Sequence, residues 1–164
     1  MLKLSSTSNK PFTGVHGTVV STTNNLLEKT IHVLMTNGIQ KSVDVSKSAI
    51  SFIEGNKVFI VIASDADRLQ LVYVNNFASN EIEIAKIDAT LSVWTFVAFV
   101  GILIGLYVMF KEKFMDGLYI SIGSGLATWF FGWLTSSEIN DANSKLKAVF
   151  NEHSFDPGDV KLTT

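Results

Sequence analysis

The chain has no cysteine, and that absence excludes a disulfide scaffold as well as any thiolate-held zinc or iron–sulfur centre. Charge is also scarce. Only 17% of the 164 residues are Asp, Glu, Lys or Arg, below the roughly 25% of ordinary soluble domains. The net charge of −2 gives no basic excess of the kind a nucleic-acid binder carries. Disorder over most of the chain is excluded by composition, because Phe alone occurs 12 times.

The missing charge is concentrated in two places. Residues 89–110 (ATLSVWTFVAFVGILIGLYVMF) and 117–137 (GLYISIGSGLATWFFGWLTSS) contain no charged residue at all. A bilayer core about 30 Å thick needs about 20 helical residues, so both runs are long enough to span. Helices that are apolar on every side could hide in a soluble core only if much more chain surrounded them. The connecting KEKFMD, 111–116, is short enough to force antiparallel neighbours. In such a hairpin Trp94, Trp129 and Trp133 share one interface, while Tyr107 and Tyr119, with Phe110 and Phe114, share the other, as amphipathic rings prefer.

Helices in lipid gain little by burying apolar surface against each other, so close approach at small residues matters more. Gly101 and Gly105 make a G-x-x-x-G on the first run. On the second, Ser121 and Gly125 are four apart, and Ser124, Thr128 and Gly132 form another small-residue ridge. These residues predict packing inside the hairpin, with self-association through Gly101 and Gly105 as the alternative. Neither run holds an ionisable residue that could serve a proton relay.

Residues 12–88 read as β structure. Short strands are predicted at 15–21, 30–36, 39–45, 57–63, 68–75 and 81–87, the last with an early helix start as alternative; 46–53 fits a short helix or a strand. Asn37-Gly38 is a type I′ hairpin signal. Five or six short strands at this spacing predict a small antiparallel β-barrel, OB-like or SH3-like, with a β-sandwich as the alternative. Eight Lys/Arg balance eight Asp/Glu over residues 1–88, and exposed aromatics are few, so nucleic acid is not an expected partner.

The last part of the chain predicts an amphipathic helix over 138–155. Thr135-Ser136-Ser137-Glu138 resembles a capping box, Ile139, Ala142, Leu146, Val149 and Phe150 repeat at helical spacing, and Asp156-Pro157-Gly158 ends the pattern. Residues 1–11 and 156–164 read as flexible tails.

Candidate chemistry is thin. His16 and His32 lie on neighbouring predicted strands and could approach each other, but two imidazoles make a weak metal site, and His153 is distant in sequence. Asp65 and Asp67 read as a solvated turn rather than a calcium loop. No nucleophile elbow, metalloprotease motif, phosphate loop or dinucleotide fingerprint occurs. Hence no catalytic, cofactor-binding or metal residue is named, and no enzyme is expected.

The expectation is an α+β multi-pass membrane protein: a small β domain, a transmembrane hairpin over 89–137 and an amphipathic helix. It would act as a membrane-anchored interaction or assembly module. A channel or pore subunit and an immunity-type regulator of another membrane protein are the alternatives. Its partners would be the lipid bilayer and either a second copy or another membrane protein. Lysines flank both sides of the runs almost equally. A β domain with no export signal before it favours both termini in the cytoplasm, at the inner membrane if the source is bacterial.

Overall fold

The computed structural model describes residues 2–4, 10–25, 28–64, 69–87, 90–111, 114–158 and 160–163. The chain divides into two compact units. One joins residues 1–87 to 141–164, and the other is 88–140.

The first unit is built on an antiparallel sheet of β2 (Phe12–Asn24), β3 (Lys29–Met35), β4 (Gln40–Asp44), β5 (Lys57–Ser64), β6 (Leu69–Asn76) and β7 (Glu81–Ile84), in the order β4-β3-β2-β5-β6-β7. A separate two-stranded piece pairs β1 (Lys3–Leu4) in parallel with β8 (Lys86–Ile87). The 13-residue β2 serves two neighbours. Its first half pairs with β5, its second half with β3, and a bulge lies between Val19 and Ser21.

The sheet is open, which corrects the expectation of a closed barrel and of a two-sheet sandwich. Among the described residues no ladder joins the edge strands β4 and β7. At the end of β4 the Asp44 carboxylate accepts the Ser46 N–H at 2.9 Å and turns the chain. Beyond β7, Ala85 N–H donates to the Val72 carbonyl and continues the β6–β7 register by one residue, after which β8 pairs with β1 instead. The gap is crossed by one side chain, since the Glu83 carboxylate accepts the Ser48 hydroxyl at 2.8 Å and the Ala49 N–H at 2.9 Å. The stretch after β4 is therefore turn and bend, neither helix nor strand.

The β3–β4 connection differs from the expected type I′ turn. Gly38 has φ of +80°, but Asn37 does not share the left-handed region. Gly38 N–H donates to Met35, and Met35 N–H to the Ile39 carbonyl. This is the three-residue loop that ends in a left-handed glycine.

Alternation puts Val15, Val19, Ile31, Val33, Val43, Val58, Ile60, Ile62 and Val74 on one face, all buried. On the opposite face of β2, β5 and β6 lie Gly14, His16, Phe59, Val61 and Tyr73. Phe59, Val61 and Tyr73 are buried there too, which explains why KVFIVIAS is apolar at successive positions rather than alternating. A helix supplies that second layer. Of the predicted apolar stripe, Ala142, Leu146, Val149 and Phe150 are buried within this unit, whereas Ile139 is only half-buried and belongs to the other unit. Full burial of such side chains contributes about 1.5–3 kcal/mol each.

Two helices follow the sheet: α1, Thr90–Lys111, and α2, Phe114–Glu152. The 39 residues of α2 are continuous, so the predicted boundary at 137/138 is not a break. Thr135 caps nothing; its hydroxyl donates to the Phe131 carbonyl one turn back, at 2.9 Å. The true end comes at Glu152. Ser154, with φ of +49°, is followed by the paired bonds Ser154 N–H to Asn151 and Phe155 N–H to Phe150. This is a Schellman motif, completed by the Phe150–Phe155 ring contact at 5.6 Å.

The segments read as tails hold buried leucines: Leu2 and Leu4 at one end, Leu162 at the other. Residues 5–9, within the first segment, lie outside the described residues.

Candidate functional site

In the second unit, α1 is apolar around its whole circumference. Over Val93–Lys111 its mean hydropathy is 2.3, and only 6% of that stretch is buried. It is the one helix among the described residues long and apolar enough to cross a membrane. In α2 the corresponding stretch is diluted by Gly, Ser, Thr, Tyr and Trp.

Small residues set the contact between the two helices. A Cβ at Gly101 would strike the Ser124 hydroxyl, and one at Gly105 would lie 2.7 Å from the Ser121 amide nitrogen and 3.0 Å from the Gly117 carbonyl oxygen. A Cβ at Gly117 would meet the Met109 backbone, with its Cα at 2.6 Å. Thus Gly101 and Gly105 face Ser124 and Ser121. Gly125 and Gly132 open onto empty space, and the Thr128 hydroxyl donates to the Ser124 carbonyl of its own helix at 2.8 Å. Gly117 and Met109 belong to the contact and were not singled out from the sequence.

The aromatic residues expected at membrane interfaces are all exposed: Trp94, Tyr107, Tyr119, Trp129 and Trp133. The Trp94 ring stacks at 6.5 Å on Phe131, which places the start of α1 beside the middle of α2, near Trp129 and Trp133 in sequence. Lys111 lies over the Tyr107 ring at 5.3 Å.

The sheet unit carries a second constellation. Phe59 is ringed by His16 at 5.8 Å, His153 at 5.4 Å, Phe150 at 5.9 Å and Phe155 at 4.6 Å. Gly14 makes room for the helix, because a Cβ there would lie 2.6 Å from His153 Cε1 and 2.9 Å from Val149 Cγ1. Burial holds His16 below the ordinary histidine range, helped by the neighbouring His153 and by Lys57. Burial raises the Tyr73 phenol, opposed by the Asn75 amide, which donates to its oxygen at 3.3 Å. These aromatic contacts fasten the helix to the sheet, and His153 is the member that sequence spacing hid.

His16 and His32 do not come together. Register sets His16 opposite Phe59 and His32 opposite Ser21, and the His32 ring instead meets the Ser42 hydroxyl at 2.8 Å. Asp65 and Asp67 lie outside the described residues. A cleft of about 420 Å³ opens at the end of α2, lined by Lys147, Phe150, Phe155 and Pro157 among others. Among the described residues no group of three metal-ligating side chains converges.

A clasp sits where the chain leaves and re-enters the sheet unit. Ile87 N–H donates to the Thr163 carbonyl at 3.0 Å. Leu162 N–H donates to Asn143 Oδ1 at 2.7 Å, and Asn143 Nδ2 donates back to the Leu162 carbonyl at 3.4 Å. The final residues thereby tie Ile87, three residues before α1, to the part of α2 that belongs to the sheet unit. No local sequence signal announces this tie; a lone asparagine on a helix carries none.

No protein-family model, curated protein or solved structure matches the chain.

Proposed function

We propose that the chain is a two-pass membrane protein whose hairpin anchors a small sheet domain, which serves as a non-enzymatic interaction module. The observation that carries this reading is the outward apolar surface of residues 88–140. Phe96, Phe110, Leu126 and Trp129 are 67%, 84%, 63% and 70% exposed, a surface that water does not tolerate and lipid does.

Connectivity supports two crossings rather than one. Residues 1–87 and 141–164 share one core. An odd number of crossings would put the two halves of that core on opposite sides of the bilayer. If α1 spans, α2 must return, and both termini lie on one side, the cytoplasmic side in the orientation expected from the sequence. The length of α2 allows this. Its 39 residues extend about 58 Å at 1.5 Å each, enough for a bilayer core and several further turns.

The sheet domain has surface to offer a protein partner. Among the described residues neither edge strand has a further partner strand, and Ile39, Ile53 and Ile82 are more than half exposed. Crosslinking and co-purification of the full chain in mild detergent test the module: a defined homo-oligomer or a stoichiometric protein partner is expected. Recovery of a partnerless monomer contradicts it.

A further inference from the structure

We infer that the chain pairs with a second copy of itself through β4, edge against edge about a two-fold axis, so that two sheets become one. The inference rests on the interaction-module reading and names its surface and its partner.

The phase of the β3–β4 ladder fixes what this edge offers. Met35 N–H donates to the Ile39 carbonyl, and Val45 N–H donates to the Lys29 carbonyl. Between these two bonds Lys41 lies opposite Val33, and Val43 opposite Ile31. Hydrogen-bonded pairs alternate along an antiparallel ladder, so Ile39, Lys41, Val43 and Val45 direct their backbone groups to β3. Gln40, Ser42 and Asp44 direct theirs outward, and all three residues are exposed. Among the described residues no other backbone group meets them.

Self-pairing has a register that fits this edge. With Ser42 opposite Ser42 of the second copy, Gln40 lies opposite Asp44, and every outward backbone group of the strand meets another. Lys41 then faces Val43, and no like charges are opposed. Asp44 receives the Ser46 N–H and the Ser46 hydroxyl through one carboxylate oxygen, which leaves the other for the Gln40 carboxamide of the second copy. The neighbouring registers fit less well. Setting Gln40 opposite Ser42 puts Lys41 against Lys41, and setting Ser42 opposite Asp44 carries Gln40 past the strand end to Ser46. Lysine on an edge strand guards against indiscriminate pairing, and here it selects one register.

The opposite edge, β7, does not suit a second copy. The Ala85–Val72 bond sets the phase there, so Ile82 and Ile84 direct their backbone groups outward. Ile82 against Ile82 sets Glu81 opposite Glu83, and Ile82 against Ile84 sets Glu83 opposite Glu83. Ile84 against Ile84 reaches Lys86, which belongs to β8 and pairs with β1. Self-association by strand addition is therefore assigned to β4 alone.

The test places single cysteines in the full chain, which has none of its own, and oxidises it mildly in mild detergent. A disulfide joins Cα atoms about 4.4–6.8 Å apart, and opposed residues of a hydrogen-bonded pair lie about 5.5 Å apart. Ser42→Cys should give a linked dimer in excess of Gln40→Cys or Ile82→Cys by about tenfold or more. Mixing Gln40→Cys chains with Asp44→Cys chains should link the two kinds, since these positions meet only across the axis. Ser42→Pro removes an outward N–H and leaves the ladder to β3 intact, a place where edge strands accept proline. It should convert the native dimer to monomer by light scattering, while Ile82→Pro on β7 leaves the dimer. Crosslinking of Ser42→Cys no greater than that of Ile82→Cys overturns the inference, and so does a dimer that persists in Ser42→Pro. A stoichiometric partner of another kind, recovered without the Ser42 crosslink, removes self-pairing and leaves the module. A partnerless monomer removes both.

Discussion

Asn143 holds the backbone of Leu162 by both ends of its carboxamide, accepting the N–H at 2.7 Å and donating to the carbonyl at 3.4 Å. Through the neighbouring Thr163 the same segment accepts the amide of Ile87. Asn143→Ala leaves a part-buried N–H without its acceptor and should cost about 1–3 kcal/mol. Hydrogen exchange at the Ile87 amide should accelerate with it. Unchanged exchange there would mean that the clasp does not hold the exit strand.

Gly14→Ala tests the seat of α2 on the sheet. The added methyl would press on His153 and on Val149 Cγ1 at 2.9 Å, so a loss of about 1–3 kcal/mol is expected from denaturant midpoints. In the double variant Gly14→Ala/His153→Ala part of that loss should return, giving a favourable coupling in a double-mutant cycle.

Ser154 occupies the left-handed position of the Schellman motif at φ of +49°. A residue with a Cβ carries a penalty there that glycine does not. Ser154→Gly should therefore raise stability by about 1 kcal/mol, visible as a higher Tm.

His16 sets a pH dependence. Its folded-state pKa lies below the ordinary value of about 6.5, so the unfolded chain binds the proton more readily. Its contribution is complete above about 6.5 and fades as the pH falls through the lower folded value. Comparing the native chain with His16→Gln at neutral and at mildly acid pH isolates this effect. The native chain should lose more stability on acidification than the variant does.

Within the hairpin, the glycines should rank by what an added methyl meets. Gly117→Ala and Gly105→Ala press on backbone of the facing helix and should open the contact. Gly101→Ala meets only the Ser124 side chain, which can turn away, and Gly125→Ala meets open space. Inter-helix crosslinking yield between cysteines placed at Val97 and Thr128, in this cysteine-free chain, reads the order.

Much of this architecture is written in local patterns. β-branched runs at 57–63 and 69–75 and the turn at Asn37-Gly38 mark strands and a hairpin wherever the rest of the chain lies, and two charge-free runs mark two helices. What escaped was long-range. Val149 and Phe150 mark a helix that docks, but not that it docks on Phe59 and Tyr73, far earlier in the chain. Thr135-Ser136-Ser137-Glu138 carries the residues of a cap, yet the helix runs through it, because propensity is a weak prior once a continuous helix can serve both units. Barrel closure failed for a similar reason. It depends on a pairing of β4 with β7, whereas Asp44 turns the chain out of β4 and the strand after β7 pairs with β1, contacts that strand periodicity does not encode. In the hairpin, Gly101 and Gly105 are legible as small residues, but Gly117, which packs against Gly105, sits at the very start of its run, where no ridge points to it.

The central claim is that residues 88–140 cross a bilayer twice. The most direct measurement places single cysteines at Ser79, Asp116 and Asn151 of the full chain in sealed vesicles and labels them with a membrane-impermeant maleimide. The account predicts that Ser79→Cys and Asn151→Cys label from the same side, that Asp116→Cys labels only from the other, and that all three stay with the membrane after alkaline washing. Labelling of all three from one side, or release of the chain into the aqueous phase, would contradict it.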